Sequence, residues 1–472
     1  MEYASVSRQL ARFVDKLSYK DLSVGVMDRV KGRILHGCCT AFAGYEHPMV
    51  QAGKRLILNE EKGTPGNTTI LGANAKASKL GAAFVNSMMF SCRNQHDSYR
   101  MLIHPSAQVL PSTLAVAEND GVAGKDMLVA LAAGYEVLTR LASNEEYVLD
   151  AHAHGFRASP LFGVFGAAAA TGKLMGLSED QLRDALGFAA TFAAGTAEGP
   201  RGGSGESMFQ DAHATRSGIM ASLMAREGFT TTEQAIEGEA GFYNAFTGKY
   251  QWDYGTVVGD LGKRFELLNI TSKRYPCAGF NQLPIMLMAR LVKEHKFTPD
   301  QITRIDIEMS PYETRYPHPQ FARRWTVVGL IEYFVSIAAV AGDFPQERPW
   351  QNYIIGSVVS GGGTDAAASQ DLAVFNTLKK VQLHSNIHRP IYHPKITVRL
   401  KNGKVIEAEN DKKELFWGVK EEEELAVRLK PLMGMSAKQL TSVQGAVRGF
   451  EKLKGAGDFL KLVARLEAFK KA

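Results

Sequence analysis

Hydrophobic residues recur at helical spacing through roughly the first half of the chain and again near its end. Between residues 4 and 35 the apolar positions fall three or four apart, which predicts two helices. Residues 126–141 are rich in Ala, Leu and Val, as buried helices are, and helical spacing returns over 421–472. This pattern predicts a large all-α helical domain, formed by residues 1–268 and rejoined by the C-terminal helices, 413–472.

Small residues dominate the segment 163–176, which reads GVFGAAAATGKLMG. Small side chains let helices approach closely, so we expect a central packed helix whose glycines serve packing and capping. The spacing fits neither a dinucleotide-binding fingerprint nor a Walker loop. A second glycine-rich segment, 195–205, contains Arg201 and lies inside the helical region. It is either a flexible connection between helices or a loop that lines a site.

The pattern changes near residue 268. Apolar residues alternate over Ile302–Met309, which predicts a strand. Two further alternating runs, 396–400 and 405–409, flank an Asn-Gly pair that suits the positive φ angles of a type I′ hairpin turn. Residues 269–412 therefore read as a smaller α+β lid domain. A chain of 472 residues has room for about three domains, or for two large ones.

Composition narrows the class of protein. Lys plus Arg is 55 and Asp plus Glu is 49, which gives a formal charge of 55 − 49 = +6. That charge suits a small anionic substrate but not a nucleic-acid surface, which needs clustered basic residues. No apolar run reaches the roughly 20 residues that cross a bilayer. Residues 1–16 are charged and lack the apolar core of a signal peptide, and the four cysteines form no C-x-x-C pair, so we expect a cytoplasmic protein.

The densest polar cluster is the segment 92–104, CRNQHDSYRMLIH, which lies between apolar helical sequences. It forms either one wall of a site or a solvated loop, and we favour the site because burying such residues unpaired is costly. Lys273 begins the second predicted domain within KRYPC. It belongs either to a basic linker or to a cleft, where a desolvated lysine neutralises a carboxylate or transfers protons.

Several other residues have two readings. His152 and His154 form an H-x-H pair that suits a metal on a strand, but polar residues at the N-terminus of the Gly-Ala helix are the commoner explanation. His213 and Arg216 fall three apart on a helix and face either a cleft or, slightly favoured, solvent. Cys277 is a weak candidate nucleophile, because no matching histidine is identifiable from spacing.

Four motifs together resemble the MmgE/PrpD family, which contains 2-methylcitrate dehydratases, cis-aconitate decarboxylases and iminodisuccinate epimerases. The resemblance implies a helical domain with an α+β lid, a homodimer, and a site between the domains that uses no metal or organic cofactor. It also implies proton transfer at a carbon next to a carboxylate, with loss of water, loss of CO₂ or inversion. The motifs are HPSAQVLPSTLAVAE (104–118), GVFGAAAATGKLMGLS (163–178), SGIMASLMAREGFT with EGEAGFYNAF (217–246) and KRYPC (273–277).

The resemblance implies roles for individual residues. It makes His104 the candidate acid/base, matches Lys273 to the lysine of the K-R-Y-P motif, and matches Asp97 to the second Asp of an acidic pair. Tyr99 is an alternative proton donor to His104 for a leaving hydroxyl. The candidate catalytic residues are therefore His104, Lys273, Tyr99 and Asp97, and the candidate substrate-binding residues are Asn94, Ser98, Arg100, Arg157, Ser207, Gln210 and Tyr275.

The chain departs from the family pattern at four of these positions and at His96. Asn94 and His96 replace acidic residues, Arg157 replaces a histidine, Ser207 replaces a lysine, and Gln210 replaces a histidine. One expected acid/base group is thereby lost, because arginine does not exchange protons near neutral pH, and one expected carboxylate clamp is lost with the lysine that Ser207 replaces. The forked guanidinium group of an arginine can bind a carboxylate in place of the lost cation. The candidates for that role are Arg100, Arg157, Arg201 and Arg216.

Two hypotheses account for these departures. In the first, which the retained polar cluster favours, the protein is a cofactor-independent enzyme that acts on an altered small carboxylate or related metabolite. An epimerase, isomerase or dehydratase then fits better than the standard cis-aconitate decarboxylase. In the second, the protein is a catalytically silent relative that serves as a binding or structural protein.

Overall fold

Helices dominate the structure, a computed structural model, and a small mixed sheet lies in the second half of the chain. This architecture confirms the expected fold class, a large helical part with a smaller α+β part. Throughout the described ranges every helix is too short or too polar to span a bilayer. The structure describes residues 4–73, 75–199, 204–249, 253–315, 331–344 and 372–464.

The first part of the chain forms helices α1 to α12 and a short antiparallel ribbon of β1 and β2. Serine side chains cap several of the helices: Ser23 accepts from the backbone N–H of Val26, and Ser178 forms a capping box with Gln181. The helices are Val6–Lys16 (α1), Val24–Ala43 (α2), Pro48–Glu60 (α3), Lys79–Ser91 (α4), Ser106–Asp120 (α5), Gly124–Leu141 (α6), Glu145–Ala153 (α7), Ala158–Leu174 (α8), Glu179–Phe192 (α9), Glu206–Arg226 (α10), Phe242–Thr247 (α11) and Gly255–Val258 (α12), and the strands are Thr68–Ile70 (β1) and Ala75–Ala77 (β2).

Helix α8 lies at the centre of this part and packs against α5, α6, α9 and α10. Its glycines let the neighbouring helices come close. A Cβ added to Gly163 would lie 2.5 Å from the Gln108 side chain, and one added to Gly166 would lie 2.8 Å from the Val109 side chain. The interpretation of these glycines as packing residues, and not as a phosphate loop, is confirmed.

We expect Gly218→Ala on α10 to lower the free energy of unfolding by about 1–3 kcal/mol. The added Cβ would lie 2.4 Å from the Cβ of Ala167 and 2.8 Å from the carbonyl oxygen of Val164, so both helices must shift. Gly445→Ala is the matched control, because no atom lies within 4 Å of its added Cβ. That control should be neutral or stabilise by about 0.5–1 kcal/mol. Equal urea midpoints for the two variants would contradict the packing account.

The smaller part contains a four-stranded sheet of order β4-β3-β5-β6, in which β3 and β4 are parallel and the other pairs antiparallel. Helices α13 and α15 pack together, α13 contacts β5 and β6, and α15 contacts β4. The elements are Gln282–His295 (α13), Ile302–Met309 (β3), Pro311–Arg315 (α14), Ile331–Ala341 (α15), Leu372–Leu378 (α16), Val381–Ser385 (β4), Lys395–Leu400 (β5) and Val405–Glu409 (β6).

The predicted hairpin is confirmed, but its predicted turn type is wrong. Strands β5 and β6 pair antiparallel, with Arg399 opposite Val405. A type I′ turn needs positive φ at both central residues, and here Gly403 has φ +83° whereas Asn402 does not have a positive φ. The loop is longer instead, and the Asn402 side chain accepts a hydrogen bond from the backbone N–H of Lys404 at 3.0 Å.

The last described helices are Val419–Met433 (α17), Ala437–Arg448 (α18) and Ala456–Ala464 (α19). Helix α17 packs along α2, so this segment contacts the N-terminal helices. One hydrophobic cluster joins residues of α17 to α19 with the first part of the chain, and a second joins the sheet with α13 and α15. The predicted domain boundaries at residues 268 and 412 agree with these two clusters. They remain a prediction.

Candidate active site

The polar segment 92–104 connects α4 to α5, and a backbone bridge holds it against the chain just before Lys273. The N–H of Ser98 donates to the carbonyl of Thr271 at 2.8 Å, and the N–H of Thr271 donates back at 2.7 Å. This bridge brings Lys273 against Asn94, 179 positions away along the chain. The Lys273 ammonium donates to the Asn94 side-chain oxygen at 3.1 Å and to its backbone oxygen at 3.2 Å.

His104 is oriented by the backbone of the same segment. Its Nδ1 lies 3.0 Å from the carbonyl oxygen of Asp97. A carbonyl only accepts, so Nδ1 carries the proton and Nε2 keeps its lone pair in the neutral ring. The residue is only partly buried. His104 is thus a fixed imidazole with a basic nitrogen available.

His96 lies against His104, with the two ring centroids 4.0 Å apart. It is 4% exposed, and neither of its ring nitrogens has a hydrogen-bond partner among the described residues. Burial lowers the pKa of both histidines well below the ordinary value, and the positive charges of Lys273 and Arg157 lower it further. Both rings are therefore neutral near pH 7, and these four side chains share one site.

Lys273 is 1% exposed, and burial lowers the pKa of its ammonium to about 7. Arg157 acts in the same direction, whereas Cys277, Asp97 and Asp211 oppose it. Near neutral pH the lysine therefore populates both its charged and its neutral form. Such a group can bind a carboxylate and can also give up a proton.

Arg157 also lies at this site, but a carboxylate already occupies its fork. Its two terminal nitrogens donate to the two oxygens of Asp211 at 2.7 and 2.9 Å, and one of them also donates to the carbonyl of Ser207 at 3.2 Å. Asp211 is 1% exposed and also accepts from the side-chain amide of Gln108 at 2.6 Å. The guanidinium is therefore held in a buried bidentate ion pair and is not free to clamp a substrate.

The carboxylate of Asp97 is bound to the start of α5. One oxygen accepts from the backbone N–H of Ser106 at 2.9 Å, and the other accepts from its hydroxyl at 2.5 Å. The Ser106 hydroxyl also lies 2.8 Å from that of Tyr135. Asp97 thus positions the site, through its carboxylate at α5 and through its carbonyl at His104.

Three predicted residues have their polar groups bonded away from His104 and Lys273. The hydroxyl of Tyr99 donates to Glu266 at 2.7 Å, and burial raises the pKa of that phenol. Arg100 donates to Glu145 at 3.0 Å, and the hydroxyl of Tyr275 lies 3.4 Å from Asp343. The proposed chemistry therefore involves none of these three side chains. The partners of these groups are Glu266, Glu145 and Asp343.

The other predicted binding residues contribute little charge. The hydroxyl of Ser98 donates to the carbonyl of Met101 at 3.2 Å, and Ser207 offers its carbonyl to Arg157. The side-chain amide of Gln210 donates to Thr196 O at 2.9 Å. Arg201 lies outside the described residues.

Several further candidates have ordinary structural surroundings. His152 and His154 lie at the C-terminal end of α7, not at the N-terminus of α8, and their Nδ1 atoms lie 3.3 and 2.9 Å from backbone carbonyls. His213 and Arg216 are exposed, which confirms the favoured prediction that they face solvent. Burial raises the pKa of the Cys277 thiol, which disfavours the thiolate that a nucleophile needs.

A buried ionic cluster supports the polar segment from behind. Glu422 of α17 lies 2.7 Å from His36 Nδ1, accepts from Ser272 at 2.6 Å, and bonds to Arg33. The other ring nitrogen of His36 lies 2.7 Å from the carbonyl oxygen of Gln95, so each ring nitrogen contacts an oxygen. Burial opposes ionisation of Glu422, but His36 and Arg33 outweigh it and lower its pKa. The cluster joins α2 and α17 to the polar segment, through Gln95, and to the chain beside Lys273, through Ser272.

We expect Glu422→Gln to lower the free energy of unfolding by about 3 kcal/mol, because it leaves the buried charge of Arg33 uncompensated. Glu424→Gln, at an exposed position of the same helix, controls for the loss of a carboxylate and should change it by less than about 0.5 kcal/mol. Urea unfolding of both variants measures the difference. Equal midpoints would show that the cluster does not stabilise the fold.

The sequence analysis did not select His96 or Asp211 as site residues. His96 lies inside the polar segment and was treated there only as a departure from an acidic pair. Asp211 lies four residues after Ser207 on α10, and its pairing with Arg157 depends on how α10 packs against the start of α8. Both residue types are common in active sites, but only the packing shows what these two side chains contact.

Comparison with known proteins identifies the family. The MmgE/PrpD N-terminal domain matches residues 8–255, just over half of the chain. The chain belongs to the MmgE/PrpD family. This membership confirms the resemblance drawn from the four motifs, and the matched range includes His104, Arg157 and Asp211.

Relatives of this MmgE/PrpD protein include decarboxylases. It is 29% identical over 324 residues to the cis-aconitate decarboxylase-like protein oryM of Aspergillus oryzae, covering 65% of this chain and 66% of the relative. It is 26% identical over 315 residues to a cis-aconitate decarboxylase of Aspergillus terreus, covering 64% and 63%. The human cis-aconitate decarboxylase is 29% identical over 284 residues, covering 58% and 57%. The chain thus spans somewhat less than two thirds of the length of these relatives.

Proposed function

We propose that this protein is a lyase that transfers a proton at a carbon next to a carboxylate, with loss of CO₂ or water. One observation carries the proposal: a neutral, oriented imidazole at His104 shares a site with a buried lysine whose pKa is near 7. A general base must be unprotonated and a general acid protonated at the working pH, and this pair meets both needs. Family membership and the decarboxylase names of the relatives support the same reaction class.

The two groups have complementary roles. In a dehydration, Nε2 of His104 takes the proton from carbon, the released electron pair forms the double bond, and the hydroxyl leaves as water with a proton from Lys273. In a decarboxylation, the bond to the carboxylate carbon breaks, CO₂ leaves, and the electron pair left on carbon takes a proton from Lys273. Low exposure of the site strengthens the electrostatic interactions that stabilise the developing charge.

The remaining features of the proposal concern substrate and assembly. The changes at Asn94, His96, Arg157, Ser207 and Gln210 support a substrate other than that of the standard cis-aconitate decarboxylase. The proposed steps need only side chains of this chain and no cofactor. A homodimer and a cytoplasmic location remain part of the proposal, with a small carboxylate metabolite as the partner.

A panel of carboxylates tests the proposed function. The purified protein is incubated at pH 7 with unsaturated and hydroxylated mono-, di- and tricarboxylates, including methylcitrate, citrate and cis-aconitate. Proton NMR follows new vinyl signals and a CO₂ assay follows decarboxylation. We expect one class of carboxylate to lose CO₂ or water. Binding of carboxylates without any bond change would favour the alternative, a catalytically silent binding protein, which the replacement of a histidine by Arg157 and of a lysine by Ser207 favours.

A further inference from the structure

The charges around Lys273 and His104 nearly cancel. Arg157 and the charged form of Lys273 supply two positive charges, Asp97 and Asp211 supply two negative charges, and all four act on this site. The carboxylate of Asp97 faces the N-terminus of α5, where the helix dipole stabilises it. Since both histidines are neutral, the described part of the site offers little net attraction for a highly charged anion.

Among the described residues of the site, the fork of Arg157 is the one that suits a second carboxylate, and it is already filled. Both terminal nitrogens of Arg157 point at Asp211, and the pair is almost fully buried. To release the guanidinium, a ligand would have to leave the Asp211 carboxylate buried without its charge partner, which is costly. Lys273 differs, because its ammonium donates only to the neutral oxygens of Asn94 and bonds to no carboxylate among the described residues.

The neighbouring substituted positions add no cation. Where the family resemblance implies a lysine, Ser207 turns its carbonyl to Arg157. Gln210 is an uncharged amide whose side-chain oxygen is buried without a partner among the described residues. A buried acceptor of this kind repels a carboxylate and suits a hydroxyl or N–H donor.

We propose that this site selects a substrate with a single carboxylate, which Lys273 binds, and that the Arg157–Asp211 ion pair excludes substrates with two or three. The inference rests on the proposed function and names its substrate class. It makes Asp211 a specificity-determining residue, because its charge cancels the guanidinium that a second carboxylate would need.

Crotonate and fumarate are the matched probes, because they share a trans double bond and differ only by a methyl group in place of one carboxylate. Isothermal titration of the wild-type protein should give at least about tenfold tighter binding of crotonate than of fumarate or cis-aconitate. Asp211→Asn should strengthen fumarate binding about tenfold with little effect on crotonate, since it frees charge on Arg157. Asp306→Asn, which removes a carboxylate paired with Arg304 on the sheet, should change neither affinity.

Each outcome decides the inference. Tighter wild-type binding of fumarate or cis-aconitate than of crotonate would overturn it, as would binding of none of the three probes. The order of the wild-type affinities needs no variant, so the test stands even if Asp211→Asn does not fold. Failure of the proposed function is seen separately, as the absence of any bond change in the carboxylate panel.

Discussion

For a carboxylate that loses water, replacing His104 with glutamine lowers kcat/KM by about 10²–10⁴-fold, the usual contribution of a positioned general base. Glutamine retains the size and the hydrogen-bonding capacity of the side chain but has no basic nitrogen. The binding of the substrate carboxylate, which we assign to Lys273, should change little. Steady-state kinetics with the best substrate of the panel and titration of the same compound measure the two quantities.

The control for this variant is His154→Gln. His154 is exposed at the end of α7, and its Nδ1 lies 2.9 Å from a backbone carbonyl. This change should leave kcat/KM within about twofold of the wild type. If His104→Gln retained more than half of the activity, the base would have to be another group.

The second large effect concerns stability. Lys273→Met should raise the free energy of unfolding by several kcal/mol at pH 6 while abolishing activity. In the unfolded chain the lysine has a pKa of 10.5, and in the folded protein burial lowers it to about 7. The folded state therefore disfavours the charged form. This penalty is fully present below pH 7 and declines as the pH rises toward 10.5.

The pH dependence separates this cause from simple packing. The stability advantage of Lys273→Met should shrink by about 3 kcal/mol between pH 6 and pH 9, at about 1.4 kcal/mol per pKa unit. Thermal unfolding of both proteins across this range measures it. Lys438→Met, at an exposed position, controls for removal of a lysine and should show no such trend. An advantage that stays constant or grows with pH would contradict a depressed pKa at Lys273.

Local patterns predicted the elements of this fold well. Helical spacing marked α1, α2 and α6, and strand alternation with an Asn-Gly pair marked the β5–β6 hairpin, because these patterns depend on neighbours a few residues away. The turn type was missed, because the loop closes through an Asn402 side-chain hydrogen bond that alternation alone does not specify.

The site was predictable only in part. Residue types and the family resemblance selected His104 and Lys273, but the contact of Lys273 with Asn94 depends on a backbone bridge between distant segments. The pairing of Arg157 with Asp211 across 54 positions likewise follows from helix packing and not from sequence spacing. The expected roles of Tyr99 and Tyr275 came from their hydroxyls, which the tertiary structure bonds to Glu266 and Asp343.

Other residues gained importance only from their surroundings. His96 and Glu422 are ordinary residue types in a polar loop and an amphipathic helix. The structure places one against the ring of His104 and the other beside Arg33 in the interior. Burial and the neighbouring charges shift the pKa values of both side chains. Contacts between segments far apart in the chain determine that burial.

Deuterium transfer to carbon is the most direct test of proton transfer at this site. The wild-type protein is incubated with the converted carboxylate in deuterated water, and NMR measures deuterium at the carbon next to the carboxylate in substrate and product. For a substrate that loses water, the account predicts incorporation by the wild type and by His154→Gln, and a rate at least about a hundredfold lower for His104→Gln. Equal incorporation by the wild type and His104→Gln would contradict it.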